Sequence, residues 1–127
     1  MTFIIHFMKI IIIEDSVKVR ESLVRLLKHI FKGIQIVECD SVFRAKNLIS
    51  NGKYDLAILD LNLPDGSGTE LIELFKEVGN TKVLIFSNTS SDYIRSRCLN
   101  QGADYFFDKS SELDKLISTL EDLQPVM

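Results

Sequence analysis

The sequence predicts an α/β fold: one parallel sheet of five strands with helices covering both faces. Short runs rich in β-branched residues alternate five times with segments whose apolar residues recur every three or four positions. The first, third and fourth of these runs are apolar throughout, as strands buried on both faces must be. The length agrees. A chain of 127 residues makes one domain, and its 46% apolar and 26% charged residues describe a globular protein able to bury a core without disulfides or metal staples.

Residues 1–13, MTFIIHFMKIIII, are apolar but too few for a membrane span of roughly 20 residues, and His6 and Lys9 interrupt them. They lack the basic start and small-residue cleavage site of a signal peptide. The domain is therefore expected to cover 8–123, with 1–7 an N-terminal extension of unknown role and 124–127 a tail. The first strand is expected at 9–13 (KIIII). A helix follows within 16–32, where Val19, Leu23, Leu26, Leu27 and Ile30 keep helical spacing and Ser16 is placed to cap it. A second strand at 34–37 (IQIV) leads to a helix at 41–51 capped by Ser41. The third strand, 55–59 (DLAIL), is followed by a helix at 68–78. The fourth, 82–86 (KVLIF), is followed by a helix at 90–101, and the fifth, 104–107 (DYFF), by one at 110–123 carrying Leu113, Leu116, Ile117 and Leu120. Gly33, Gly52, Gly79 and Gly102 each stand just past a helical segment, where a left-handed C-cap suits glycine.

The polar residues are the informative ones. Glu14-Asp15 end the first strand, Asp60 the third and Ser87 the fourth, and Lys109 follows the fifth. In a parallel sheet all these ends lie along one edge, and ligands of open α/β sheets bind in the crevice outside it. The five residues are therefore expected to converge. Three carboxylates brought together repel and hold protons unless a cation intervenes. An all-oxygen site suits Mg²⁺ or Mn²⁺. A hydroxyl and an ammonium beside it make a cradle for an anion, the positioning and neutralisation that phosphoryl transfer requires. An aspartate there can itself be the nucleophile and form an acyl phosphate.

With Glu14-Asp15, LDLNLPDGSG (59–68), Ser87 after VLIF and Lys109 after GADYFFD, residues 8–123 resemble a two-component response-regulator receiver domain of the chemotaxis-regulator type. The resemblance implies a (βα)₅, doubly wound, flavodoxin-like sheet in the order 2-1-3-4-5. It implies Asp60 as phosphoacceptor. Mg²⁺ would be held by Asp15, by Glu14 through water, by Asp60 and by the backbone carbonyl of Asn62. Ser87 would be the switch hydroxyl, Lys109 the phosphoryl partner and Phe106 the aromatic switch, with Asn88 and Thr89 flanking the pocket. The phosphoryl group would come from a sensor histidine kinase or a histidine phosphotransfer protein. Its arrival would remake the face built from the fourth helix, fifth strand and fifth helix, toward a downstream protein or a phosphorylation-dependent dimer.

Three positions depart from the family pattern. Ser110 replaces the proline that usually follows the lysine, and a cis bond before a non-proline residue costs roughly 2.5–4 kcal/mol, so either this loop carries strain or, the favoured reading, the Lys109-Ser110 bond is trans and Lys109 approaches differently. Asn88 stands where a small residue is usual, and its bulk is expected to slow entry of small donors or water. Phe106 replaces a frequent tyrosine and has no hydroxyl to hold it at the surface, so its ring is expected to be buried at rest.

Blander readings exist for each residue taken alone. Glu14-Asp15 suit any helix start, Asp60 could cap a loop, Asp65-Gly66 is turn chemistry, and Lys109 could be solvated. Lys18, Arg20, Arg25, Lys28 and Lys32 along the first helix read as a solvated face, with docking as the alternative. His29 falls off the apolar stripe and is expected at the surface. Other classes compete for the whole. A haloacid-dehalogenase-type phosphatase needs a second aspartate where Asn62 stands, and cap elements. A flavodoxin-like cofactor binder needs a phosphate loop where Glu14-Asp15 stand. A phosphorylation-independent pseudo-receiver should lack pocket residues. A signalling phosphoacceptor rather than an enzyme is the expectation.

The net charge of −3 argues against nucleic-acid binding by bulk charge. Cys39 and Cys98 have no CxxC spacing and read as reduced thiols of a cytoplasmic protein away from membranes. Only Gln124-Pro125-Val126-Met127 follow the last helix, so no DNA-binding effector is expected in these residues. A stand-alone regulator, a relay shuttle and a domain cut from a longer protein all stay open.

Overall fold

The computed structural model describes residues 8–124. The expected extension at 1–7 and residues 125–127 of the tail lie outside them. Five strands form the sheet: β1 (Lys9–Ile13), β2 (Gln35–Cys39), β3 (Leu56–Leu59), β4 (Lys82–Ser87) and β5 (Tyr105–Asp108). All pair in parallel, in the order β2-β1-β3-β4-β5. Five helices connect and follow them: α1 (Val17–Ile30), α2 (Val42–Ser50), α3 (Thr69–Val78), α4 (Asp92–Asn100) and α5 (Leu113–Asp122).

Strand period divides the core into two. Ile10 and Ile12 join Leu27, Leu56, Ile58 and Leu116 in one cluster, which takes its helical residues from α1 and α5. Ile11 and Ile13 join Ala45, Leu59, Ile72 and Cys98 in the other, supplied by α2, α3 and α4. All four isoleucines have no exposed surface, so the uninterrupted β1 run reflects burial on both faces. The edge strand β2 is correspondingly more exposed and more polar.

Register sets the strand ends level. Ile13 lies opposite Cys39 and Leu59, Leu59 opposite Ile85, and Ile85 opposite Phe106. The ladder then runs on into the polar residues. Glu14 N–H donates to the Cys39 carbonyl at 2.9 Å, Asp60 N–H to Ile13 at 2.9 Å and Lys109 N–H to Ser87 at 3.1 Å. Backbone pairing therefore fixes where the acids and the lysine leave the sheet. The order reverses between β1 and β3, the usual place for a ligand crevice.

Ser16 and Ser41 cap α1 and α2 as expected, accepting from the N–H groups of Val19 and Arg44. Several boundaries differ. The fifth helix begins at Leu113 rather than 110, because the Asp108 carboxylate captures the N–H groups of Ser110 and Ser111 and bends 109–111 into a turn. Leu113 is consequently 47% exposed and not on the apolar stripe. A two-residue antiparallel ribbon, Asn62–Leu63 with Gly66–Ser67, was not expected after β3. Of the four helix-end glycines, Gly33 and Gly102 have positive φ, whereas Gly79 is extended at 167° and Gly52 is not among the positive-φ residues. Gly102 closes α4 in a Schellman motif: its N–H bonds Leu99 and that of Ala103 bonds Cys98. There is no cis peptide bond among the described residues, so Lys109-Ser110 is trans. His29 is exposed.

Candidate functional site

The loop leaving β1 is three residues long: Glu14, Asp15 and Ser16. Ser16 N–H donates to Glu14 Oε2 at 3.1 Å while its hydroxyl caps α1, so the turn folds the Glu14 side chain back over the sheet edge. Asp60 follows β3, Ser87 ends β4 and Lys109 follows β5. The expected convergence is present. Lys109 Nζ donates to Asp60 Oδ2 at 2.8 Å and is paired with Glu14 Oε1. Asp60 Oδ1 accepts from Ser87 Oγ at 3.0 Å and from Asn62 N–H at 3.1 Å. Ser87, Glu14 and Asp60 are buried, at 0%, 2% and 5% exposure, whereas Asp15 is exposed.

Burial pushes the Glu14 carboxyl up, against the opposing hydrogen bonds from Lys109 and Ser16. Burial also works against the Lys109 charge, but its bonds to Asp60 and Glu14 outweigh this and hold its pKa above the usual lysine value. At rest, then, one ammonium is shared between two buried acids.

Glu14, Asp15 and Asp60 each offer a carboxylate oxygen within 4.8 Å of the others. Oxygens on opposite sides of an Mg²⁺ ion lie about 4.2 Å apart. The acids therefore fit a small divalent cation after slight movement of an exposed side chain, or with one acid reached through water. Hard oxygen donors are the right chemistry for it.

The loops around Asp60 are tightly held. Asn62 Nδ2 donates to Thr89 Oγ1 at 2.7 Å, and Thr89 N–H reaches Ser87 Oγ at 3.3 Å, which ties the β3 loop to the β4 loop across the pit. Asn62 and Thr89 also line a cavity of about 290 Å³ with Leu63, Ser67 and Ile94. Asn88, expected beside the pocket, is exposed, and Thr89 makes the contact across it. Gly68 N–H bonds the Leu61 carbonyl, and a Cβ at Gly68 would stand 2.2 Å from the Asp60 carbonyl oxygen, so only glycine lets the chain return this close. The Asp65 carboxylate accepts from Val42 and Phe43 N–H at 2.8 and 2.9 Å, pinning the same loop to the start of α2.

The Phe106 ring is buried, at 5% exposure, as the missing hydroxyl suggested. Arg95 of α4 lies over it with the guanidinium 4.9 Å from the ring centroid. Its Nη1 donates to the Phe106 carbonyl at 2.8 Å and its Nη2 to Glu112 Oε1 at 2.5 Å. Glu112 also accepts from Asp108 N–H, and Ser90 Oγ donates to the Asp108 carboxylate. One polar network thus joins α4, β5 and the start of α5.

Sequence reasoning missed Arg95, Glu112 and Asp65, because their partners are far apart along the chain. It also misplaced Arg20. Lys18, Arg25, Lys28 and Lys32 are exposed, but the Arg20 side chain is only 18% exposed and bonds inward to the loop of Glu14-Asp15. A glutamate at the end of the neighbouring strand, Glu38, was the one available signal.

The family described as "Response regulator receiver domain" matches residues 10–121. Among curated proteins, the swarming motility regulation protein RssB of Serratia marcescens is 32% identical over 117 residues, which cover 90% of this chain and 52% of that one. The chain spans about half the length of the curated relatives it matches. Among solved structures, the signal receiver domain of a DNA-binding response regulator (merR) from Colwellia psychrerythraea 34H has a TM-score of 0.83 at 26% identity, covering 91% of this chain and 97% of that one. A response regulator from Burkholderia pseudomallei, solved with a phosphorylated aspartic acid, a calcium ion and citrate, has a TM-score of 0.78 at 20% identity, covering 89% and 66%, and shares the fold.

Proposed function

This chain belongs to the response regulator receiver family, and from that premise we propose that it accepts a phosphoryl group on Asp60 and relays the event through the surface of α4, β5 and α5. The observation that carries the reading is the buried Asp60 carboxylate held at once by Lys109, Ser87 and the Asn62 N–H, with two further acids alongside. The donor is a phosphohistidine of a sensor kinase or a histidine phosphotransfer protein. This places the domain, residues 8–123, in the cytoplasm.

Asp15, Asp60 and the Asn62 carbonyl would hold Mg²⁺ (or Mn²⁺), with Glu14 reached through water; when bound, the cation supplies charge neutralisation for the phosphoryl oxygens. The metal-bearing phosphoaspartate structure from Burkholderia pseudomallei supports this by analogy of fold. The protein residues do the rest. Asn62 N–H and Ser87 Oγ orient the Asp60 carboxylate for in-line attack. An Asp60 oxygen forms the bond to phosphorus as the phosphorus–nitrogen bond breaks, and the departing imidazole keeps the electron pair. Lys109 is already beside Asp60 and meets the added charge, about −2 at neutral pH. Ser87 Oγ turns from the carboxylate to a phosphoryl oxygen. The Ser90–Asp108 bond and the Arg95–Glu112 pair join the loop after Ser87 to the start of α5, so a shift at Ser87 is felt there.

Asn62 binds Thr89 through its amide and is no second carboxylate, which weighs against the dehalogenase-type phosphatase. The full set of pocket residues weighs against a pseudo-receiver. The test is intact mass after treatment with acetyl phosphate or phosphoramidate. One added phosphoryl group, dependent on Mg²⁺ and absent in Asp60→Asn, supports the reading. No uptake from these donors or from phosphohistidine proteins refutes it.

A further inference from the structure

We propose that Arg20 is a positioning residue that holds the Glu14-Asp15 turn in the shape that receives the cation, an inference that rests on the cation site proposed above. Glu14 has its own supports, since both carboxylate oxygens are engaged by Lys109 and Ser16. Asp15 has none: among the described residues no hydrogen bond to its carboxylate is seen, and it is exposed. Its direction is therefore set by the backbone that carries it.

Arg20 holds that backbone. Its Nη1 donates to the Glu14 carbonyl at 2.7 Å and reaches the Asp15 carbonyl at 3.4 Å. Its Nε donates to Glu38 Oε1 at 3.3 Å, at the end of β2. The Glu14 carbonyl lies beyond the last ladder pair of β1, and the guanidinium supplies the donor that the sheet no longer offers. A planar fork can serve a carbonyl and a carboxylate at fixed angles, whereas an ammonium cannot. Arg20 is anchored in turn by its place one turn into α1, where its N–H bonds the Ser16 carbonyl.

The sign of the effect separates positioning from charge. A cation near three acids repels an incoming Mg²⁺, so an Arg20 acting through charge alone would weaken binding, and its removal would tighten it. An Arg20 acting through geometry does the reverse. Residues that orient metal ligands typically change metal affinity by about 10–100-fold.

The test is calorimetric titration of Mg²⁺ alone into the intact protein and into Arg20→Ala, Arg20→Lys and Glu38→Ala. Arg20→Ala is expected to bind about tenfold more weakly. Arg20→Lys, which keeps the charge but loses the fork, should fall nearly as far, and Glu38→Ala less. In acetyl phosphate labelling, the half-saturating Mg²⁺ concentration should rise while the rate at saturation holds, a split that general loosening of the fold would not give. Should Arg20→Ala fail to fold, the Lys and Glu38 variants decide. Wild-type or tighter affinity in the Arg20 variants overturns the role. Failure of the wild-type protein itself to take up Mg²⁺ overturns the cation site and this role together.

Discussion

Lys109→Met keeps the length of the side chain and removes the ammonium that pairs with Glu14 and Asp60. Those acids are 2% and 5% exposed, and their ligand oxygens lie within 4.8 Å. Two carboxylates at that separation repel by about 3.5 kcal/mol at an effective dielectric of 20. The Lys109 side chain is 13% exposed, so some water reaches the pit and lowers the figure. The expected loss is about 2–3 kcal/mol, somewhat below that for breaking a deeply buried pair. In urea the midpoint should fall by about 1–2 M at the slope usual for a small domain. Mg²⁺ should narrow the gap: both proteins gain about 2.7 kcal/mol at a hundredfold excess over Kd, and at equal Mg²⁺ the variant, with no ammonium to oppose the cation, binds it more tightly and gains more. Combining Lys109→Met with Glu14→Gln removes one of the opposed charges and should shrink the cation-free loss below about 1 kcal/mol. Equal losses with and without Mg²⁺, and with and without Glu14→Gln, would show that Lys109 acts by packing and refute the reasoning.

Other outcomes follow from the same contacts. Gly68→Ala drives a methyl group into the Asp60 carbonyl, 2.2 Å from an ideal Cβ, so it should cost about 1–3 kcal/mol and slow Asp60 labelling at every Mg²⁺ concentration; wild-type labelling would mean the loop yields freely. Burial raises the Asp104 pKa, but its bonds from Lys76 Nζ and Val83 N–H outweigh this and lower it. Its stabilisation is therefore complete above the unfolded value near 3.9 and is lost as pH falls through the lower folded value. Asp104→Asn should flatten the acid limb of a urea-midpoint curve below about pH 4, and an unchanged limb would contradict this. Thr89→Ala removes the bond that closes the pit through Asn62 and should hasten loss of the phosphoryl group, measured by the decay of labelled protein. Asn88→Ala should have the smaller effect because Asn88 is exposed, and an unchanged rate in both variants would show that neither side chain shields Asp60.

The parallel sheet and the meeting of Glu14, Asp60, Ser87 and Lys109 were legible because they depend on hydrophobic pattern and topology, whereas the strand order followed only from the resemblance to the receiver family. An apolar run such as KIIII can be read for burial on two faces, and a parallel sheet sends every strand's end to one edge. Burial of Phe106 was legible from the lost hydroxyl. What escaped depends on individual hydrogen bonds, near and far along the chain, that leave no periodic trace in the sequence. Arg20 looked like one more cation on α1, since nothing in its own segment says that a carbonyl two turns of chain away needs a donor. The Arg95–Glu112 pair spans 17 positions and Asp65–Val42 spans 23. The late start of α5 followed from Asp108 competing for backbone N–H groups, which the apolar period of 113–120 does not record. Gly52 and Gly79 sit past helix ends, yet a glycine there permits a left-handed cap without requiring one.

The central claim is that Asp60 is a nucleophile served by groups from four strand ends. Borohydride reduction after Mg²⁺-dependent phosphorylation, followed by peptide sequencing on a mass spectrometer, tests it most directly, because an aspartyl phosphate is reduced to homoserine. The expected result is homoserine at position 60 alone, lost when EDTA replaces Mg²⁺. Homoserine at another acid, or none from a protein that has gained a phosphoryl group, would contradict it.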